Sequence, residues 1–147
     1  MQNEILIREF DNPDIPEMAN LMIELGYATT VIEMTERLKQ ILQDTNYRTL
    51  VAINKNEVIG MIGLIKNFFW ERNGCYVKVQ ALVVKQSFRK KGVGKLLIES
   101  AEDWAKEIGA TLIALNCGIK EERNDAHKFY PKVGFQHKSF GYNKEII

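Results

Sequence analysis

The residues from Leu82 to Lys95, LVVKQSFRKKGVGK, bring together the two things that hold a phosphate: approachable backbone and mobile positive charge. A short β-branched run stops at Val84. A basic turn with Gly92 and Gly94 follows, and an amphipathic pattern begins at Val93. Glycine lets the backbone turn, and approach a ligand, with no Cβ in the way. The first amides of a helix have no intrahelical partner and carry the positive end of its dipole, so they draw anionic oxygens. Arg89, Lys90, Lys91 and Lys95 surround that turn with cations. The arrangement suits a pyrophosphate. Two familiar phosphate loops are excluded. Leu97 stands where a dinucleotide fingerprint needs its third glycine, and Leu96 follows Lys95 where a Walker A loop needs Ser or Thr.

A second signature lies downstream, in Ala126-His127-Lys128-Phe129-Tyr130-Pro131-Lys132-Val133-Gly134-Phe135. Together, Arg-x-x-Gly-x-Gly and the later A-x-x-F-Y-x-x-x-G-F resemble two motifs of the GCN5-related N-acetyltransferases, the GNAT superfamily. The Leu25-Gly26-Tyr27 turn and the closing stretch from Lys138 to Lys144 are similar to those of small bacterial-type members. The resemblance spans nearly the whole chain and implies a single acetyltransferase domain over residues 1–147. It also implies a mixed α/β (α+β) fold, with a mostly antiparallel central sheet of six to seven strands and about four helices on both faces.

The resemblance further implies acetyl-CoA as co-substrate. Its pyrophosphate falls to Arg89, Lys90, Lys91, Gly92, Val93, Gly94 and Lys95. Its pantetheine arm runs along Leu82, Val83 and Val84 like an added strand. A backbone N–H near Leu82 polarises the acetyl carbonyl, and Tyr130 acts as general acid on the departing thiolate. A phenol of pKa about 10 is a fitting donor to a thiolate of pKa about 8.5.

The chain departs from the family pattern at three places. Pro131 follows Tyr130 directly, where proline removes a helical hydrogen bond and biases the preceding residue away from the helical region. Arg123 stands where many relatives have Asn. Gln80 stands where some relatives place a glutamate base, and an amide cannot accept a proton. The amine then enters neutral, or gives its proton to a water chain or to another carboxylate such as Glu33 or Glu71. Tyr27, Phe69, Trp70, Gln80 and Asn116 are the candidate acceptor-site residues. The aromatic run Phe68-Phe69-Trp70 equally suits a homodimer contact or a core flap.

The reading that follows is transfer of the acetyl group to the primary amine of a small molecule, by direct attack in a ternary complex. The alternatives are acetylation of a protein lysine or N-terminus, and a non-catalytic acyl-CoA sensor on the same fold, since fold alone does not establish catalysis. Twenty basic and 19 acidic side chains give a net charge of +1, which offers no global field for nucleic acid. The two cysteines carry no metal spacing, and His127 and His137 have no ligand cluster beside them, so no metal is expected. Cysteine usage, the lack of a signal-length apolar run and the lack of a membrane-span pattern point to the cytoplasm and to no membrane partner.

The elements that must position these residues follow from periodicity. Ile5, Ile7 and Phe10 alternate as a first strand, and Asp11-Asn12-Pro13-Asp14 is a turn able to cap a helix. Met18, Leu21, Met22 and Leu25 recur at helical spacing up to Gly26, and a second helix starts near Thr30 with Met34, Leu38, Ile41 and Leu42 as its stripe. Thr49–Asn54 and Val58–Ile65 pair across the polar turn Asn54–Glu57, with Gly60 and Gly63 marking a bend or a close approach. Tyr76–Val84 leads into the phosphate loop. Val93, Leu96, Leu97, Ala101, Trp104 and Ile108 share a helical face. Leu112–Leu115 is a short strand and Asp125–Val133 a helix, and Phe135–Glu145 reads as a closing β-hairpin.

Overall fold

The computed structural model describes residues 4–116, 124–139 and 141–146. The chain divides into two units, residues 1–114 and 115–147. The first holds β1 (Leu6–Glu9), α1 (Ile15–Leu25), α2 (Val31–Leu42), β2 (Tyr47–Asn54), β3 (Glu57–Phe68), β4 (Cys75–Val84), α3 (Val93–Glu107) and most of β5 (Ile113–Leu115). The second holds α4 (Asn124–Lys132).

Caps set the helix ends. Thr30 accepts from the Glu33 amide at 3.1 Å while Glu33 accepts from the Thr30 amide at 2.9 Å, so α2 begins with a reciprocal capping box. Gly26 ends α1 at φ 111°, a left-handed position that glycine takes without strain. Asp14, at the head of α1, is nearly buried and accepts from Arg8 at 2.7 and 3.0 Å and from the Asp11 amide at 2.7 Å.

The sheet order is β1-β2-β3-β4-β5, with β1 to β4 antiparallel. The β2–β3 connection holds Lys55 at φ 48° and Asn56 at φ 67°, two left-handed residues of the kind a tight hairpin turn requires. The Thr111 amide donates to Cys75 and the Val77 amide to Leu112, so the two segments advance together and the sheet is mixed. Five strands form among the described residues, against the six to seven expected. The difference lies in the last segment: no strand forms among residues 135–139 and 141–146.

Both sheet faces are covered, as the mixed α/β expectation requires. Val51, Ile53, Met61 and Val83 join Met18, Leu21, Met22, Met34 and Leu38 in one buried cluster, which seats α1 and α2. On the opposite face, a Cβ at Gly60 would meet Leu97 at 3.3 Å and Val93 at 3.4 Å. The expected close approach at Gly60 is therefore α3 lying directly on the sheet. Gly63 sits instead at a register shift, where Gly63 pairs with Ala81 and Leu64 with Val79. The residue skipped is Gln80, the extra residue of a bulge in β4.

Candidate active site

β4 delivers the chain to the phosphate loop, and its hydrogen-bond register decides which backbone groups remain available. The Lys85 amide donates to the Ile59 carbonyl at 2.7 Å. Bonded pairs alternate in an antiparallel ladder, so Val83 opposite Met61 is the next one. Leu82 and Val84 then turn their N–H and C=O groups away from β3. The three residues of β5 are too few to accompany the ten of β4 to its end. Leu82–Val84 thus presents an open edge among the described residues, able to take an extended ligand as an extra strand. The Leu82 and Val84 side chains are half-buried and Val83 is buried in the α1 cluster.

After Val84 the chain makes a 3-10 turn, Gln86–Phe88, and reaches Arg89. The Arg89 Nε donates to the outward-facing Val84 carbonyl at 3.1 Å. That contact ties the basic turn to the end of the open edge, a link no sequence motif announces. Lys90 adopts φ 62° and Gly92 φ 85°, so the turn needs two left-handed residues. Of the two motif glycines, Gly92 supplies this conformation, whereas Gly94 lies inside the first turn of α3. A Cβ at Gly92 would touch nothing within 4 Å, so the space above it is open. No side chain caps the N-terminus of α3, and its first turn carries no acid. The Leu96 amide is bonded to the Gly92 carbonyl, which leaves the amides of Val93, Gly94 and Lys95 ahead of the helical ladder. Arg89, Lys90, Lys91 and Lys95 are exposed around them, with the Lys91 ammonium 5.4 Å from the Phe88 ring centroid. Chemically this is an anion cradle at the end of an open strand edge.

Carboxylates from α1 and β3 hold the entry to this loop. The Gln86 amide donates to Glu24 at 2.9 Å, and the Val58 amide to Glu17 at 2.9 Å. Lys85 pairs with Glu57, and that hydrogen bond raises the lysine above its ordinary pKa.

The acceptor candidates are distributed. Tyr27 is exposed in the loop after α1, where its amide closes the helix on Met22 at 2.9 Å. Phe69 stacks on Tyr76 with centroids 4.8 Å apart, and the Arg72 guanidinium lies 4.1 Å above Phe69. Trp70 is fully exposed and Phe68 largely so, whereas Phe69 between them is half-buried. Gln80 is exposed at the bulge. Glu33 is committed to its capping box, where the Thr30 amide holds its carboxyl below the usual carboxylate range. A group kept ionised in that way is a poor proton acceptor. Glu71 is exposed.

Tyr130 and Asn116 belong to the second unit. α4 continues through Pro131 to Lys132, so the proline is accommodated in its last turn rather than ending the helix. The Tyr130 carbonyl accepts from Val133 at 3.2 Å and Phe135 at 3.1 Å, and Gly134 closes the segment at φ 98°. The Tyr130 ring is half-buried and meets Phe129 and Phe135 edge-on, at centroid distances of 5.4 and 5.8 Å. The family-like residues Phe129 and Phe135 thus fix the ring. Asn116 lies beside Gly141, whose Cβ would sit 3.7 Å from the Asn116 Cγ. Arg123 lies outside the described residues. Among the described residues no group of histidine, cysteine or acidic side chains is placed to hold a metal, and no helix is long and apolar enough to cross a membrane.

Residues 15–135 match the model of the acetyltransferase (GNAT) family. The chain is 34% identical over 105 residues to the aminoalkylphosphonate N-acetyltransferase of Salmonella typhimurium, covering 71% of this chain and 67% of that protein. It is 29% identical over 132 residues to the uncharacterized N-acetyltransferase YhdJ of Bacillus subtilis, covering 89% and 88%. Among solved structures, a GNAT family acetyltransferase of Staphylococcus aureus superposes with a TM-score of 0.82 at 32% identity, over 97% of this chain and 98% of that one.

Proposed function

The chain belongs to the GNAT acetyltransferase family and is an acetyl-CoA-dependent N-acetyltransferase; we propose that it acetylates the primary amine of a small molecule, by direct attack on the thioester in a ternary complex. The observation that carries this reading is the open edge at Leu82–Val84, joined through the Gln86–Phe88 turn and the basic loop to the uncapped N-terminus of α3. That arrangement matches a ligand with an extended amide-bearing arm and a pyrophosphate at its end. The family match crosses the division between the two units, which supports reading residues 1–147 as one acetyltransferase domain. Small-molecule acetylation is the activity named for the Salmonella relative. Cys75 is a free, buried thiol, which suits a reducing compartment such as the cytoplasm.

Each step has a group to serve it. Arg89, Lys90, Lys91 and Lys95 and the first amides of α3 bind the pyrophosphate, and the edge of β4 binds the arm. The Leu82 N–H points out of the sheet toward the acetyl carbonyl and stabilises the oxyanion that forms when the amine attacks. As the C–S bond breaks, Tyr130 gives its phenolic proton to the departing sulfur. Gln80 at the bulge orients the amine or a water, and the surplus ammonium proton leaves through solvent.

The test follows thiol release from acetyl-CoA against a panel of primary amines, a lysine peptide and no acceptor. Turnover on free amines is the expected result. Turnover on the peptide alone, or tight cofactor binding with no turnover on any acceptor, would replace this reading with the protein-acetylating or the sensor alternative.

A further inference from the structure

The tip of the β3–β4 hairpin carries a chemistry that acetyl transfer does not use. Residues 69–74 join Phe68 to Cys75, the last pair of the β3–β4 ladder. Asn73-Gly74 is the chain's one Asn-Gly step; every other asparagine precedes a residue that has a Cβ. Gly74 sits at φ 107°, a left-handed value that side chains rarely adopt, so the turn itself keeps a glycine after Asn73. Asn73 and Gly74 are both exposed, and a Cβ on Gly74 would meet nothing within 4 Å. No hydrogen bond among the described residues holds the Asn73 side chain or the Gly74 amide. The bond that crosses this turn, from the Phe69 amide to the Gly74 carbonyl at 3.4 Å, uses neither group. Asn54, at the β2–β3 turn, is the opposite case, buried and followed by lysine.

Such a pair reacts with itself, because glycine leaves its own nitrogen uncrowded. The Gly74 nitrogen, after losing its proton to hydroxide, attacks the Asn73 Cγ. The new C–N bond closes a succinimide ring, and the side-chain nitrogen leaves as ammonia, taking a proton from water. Water then adds to one of the two ring carbonyls. Breaking the Cγ–N bond leaves aspartate. Breaking the bond from the main-chain carbonyl carbon to nitrogen leaves isoaspartate, whose main chain runs through Cγ and is one carbon longer. The net change turns one amide and one water into one carboxylate and one ammonium ion, with no oxidant or reductant.

The new carboxylate falls next to Arg72, whose guanidinium lies 4.1 Å from the Phe69 ring centroid and has no ion pair among the described residues. From Lys66 to Gly74 the charged side chains are Lys66, Glu71 and Arg72, one net positive charge, which the conversion cancels. The formal charge of the whole chain falls with it from +1 to zero, where proteins associate more readily. We propose that Asn73 is a self-modifying site, which converts in the folded protein to aspartate and isoaspartate and neutralises the aromatic tip. The change is slow and one-way, and it acts by charge as other modifications do.

The experiment incubates the folded protein, the protein unfolded in guanidinium chloride, and the variants Asn73→Ser and Gly74→Ala at mildly alkaline pH. Peptide mass mapping gives the fraction deamidated at each asparagine, and methylation by an isoaspartate methyltransferase counts isoaspartate. In the folded protein Asn73 should convert roughly tenfold faster than any other asparagine, and at no less than about half its rate in the unfolded chain. Asn73→Ser should abolish the isoaspartate signal, and Gly74→Ala should cut it roughly tenfold. Iodide quenching of the exposed Trp70 should weaken as conversion proceeds, and likewise in Asn73→Asp, while quenching by neutral acrylamide holds. An Asn73 amide that survives in the folded protein while the unfolded chain converts would overturn the site, as would conversion led by another asparagine. Conversion that leaves iodide quenching unchanged would overturn the neutralisation of the tip.

Discussion

The Gln86 amide donates to the Glu24 carboxylate at 2.9 Å, which joins the last turn of α1 to the first residue of the phosphate-loop approach. Tyr27, an acceptor candidate, lies three residues beyond Glu24, and Arg89, a cofactor candidate, three residues beyond Gln86. The loop that carries one candidate and the loop that carries the other are therefore braced through one carboxylate. Glu24→Ala should raise KM for acetyl-CoA about fivefold, the equivalent of a solvent-exposed hydrogen bond of roughly 1 kcal/mol. Glu24→Gln, which still offers an acceptor oxygen, should lose less. Steady-state kinetics with acetyl-CoA varied at saturating amine measures both. Equal KM in all three proteins would show that the brace has no functional weight.

Gly92 separates folding from binding. Its φ of 85° makes any side chain strained, by about 1–2 kcal/mol, yet a Cβ there meets no atom of the protein. Gly92→Val should therefore fold, with a Tm lower by several degrees, while its affinity for acetyl-CoA falls far more than tenfold because the side chain occupies the cradle. Calorimetry on the folded variant decides the matter, and unchanged affinity would remove the anion-cradle assignment.

Tyr130→Phe keeps both edge-on ring contacts and removes the phenolic proton. If the hydroxyl assists the leaving thiolate, kcat should drop by roughly ten- to a thousand-fold with little change in cofactor affinity. The deficit should narrow with acetyl thioesters of a more acidic thiol, which need less help. Full kcat on acetyl-CoA would make Tyr130 a packing residue.

Acid stability should be governed in part by Asp14. Its carboxyl is held below the ordinary aspartate range, first by the hydrogen bond from Arg8, with the Asp11 amide adding to it and burial opposing. A depressed folded-state pKa contributes stability that is fully present above the unfolded value, about 3.9, and is lost as pH falls below it toward the folded value. Denaturation midpoints measured from pH 6 to pH 2.5 should therefore fall more steeply in the native protein than in Asp14→Asn. Parallel profiles would show that another group sets the acid limit.

Much of the first unit could be read from the chain because its signals are local. Thr30 and Glu33 spell a capping box, Gly26 closes a helix, and the Asn54–Glu57 turn is flanked by apolar alternation. Each arises from backbone chemistry within a few residues. The Gln80 bulge could not be read, for a specific reason. Cys75, Val77, Val79 and Val83 are all buried, so apolar residues keep odd positions on both sides of the bulge while the face they address changes from α3 to α1. Alternation cannot register an inserted residue when both faces are covered. The Arg89 bond to the Val84 carbonyl and the Glu24 bond to Gln86 escaped for a different reason: one depends on a turn's conformation and the other on a partner far along the chain. Glu33, open to a catalytic reading from its residue type, is occupied by the very cap that the same sequence announces. The closing hairpin expected over Phe135–Glu145 is not met: no strand forms among its described residues.

The chain's two tryptophans lie at opposite extremes of solvation: the Trp70 side chain stands wholly in water at the tip of the β3–β4 hairpin, while Trp104 in α3 is 8% exposed against the sheet. The protein thus carries two intrinsic fluorophores whose emission separates by colour. Trp104 emits to the blue and reports on whether α3 keeps its seat. Trp70 emits to the red, is open to collisional quenchers, and senses what arrives at the aromatic tip beside Arg72. Unfolding of the core and events at the aromatic tip can be followed separately in the same cuvette, without a label.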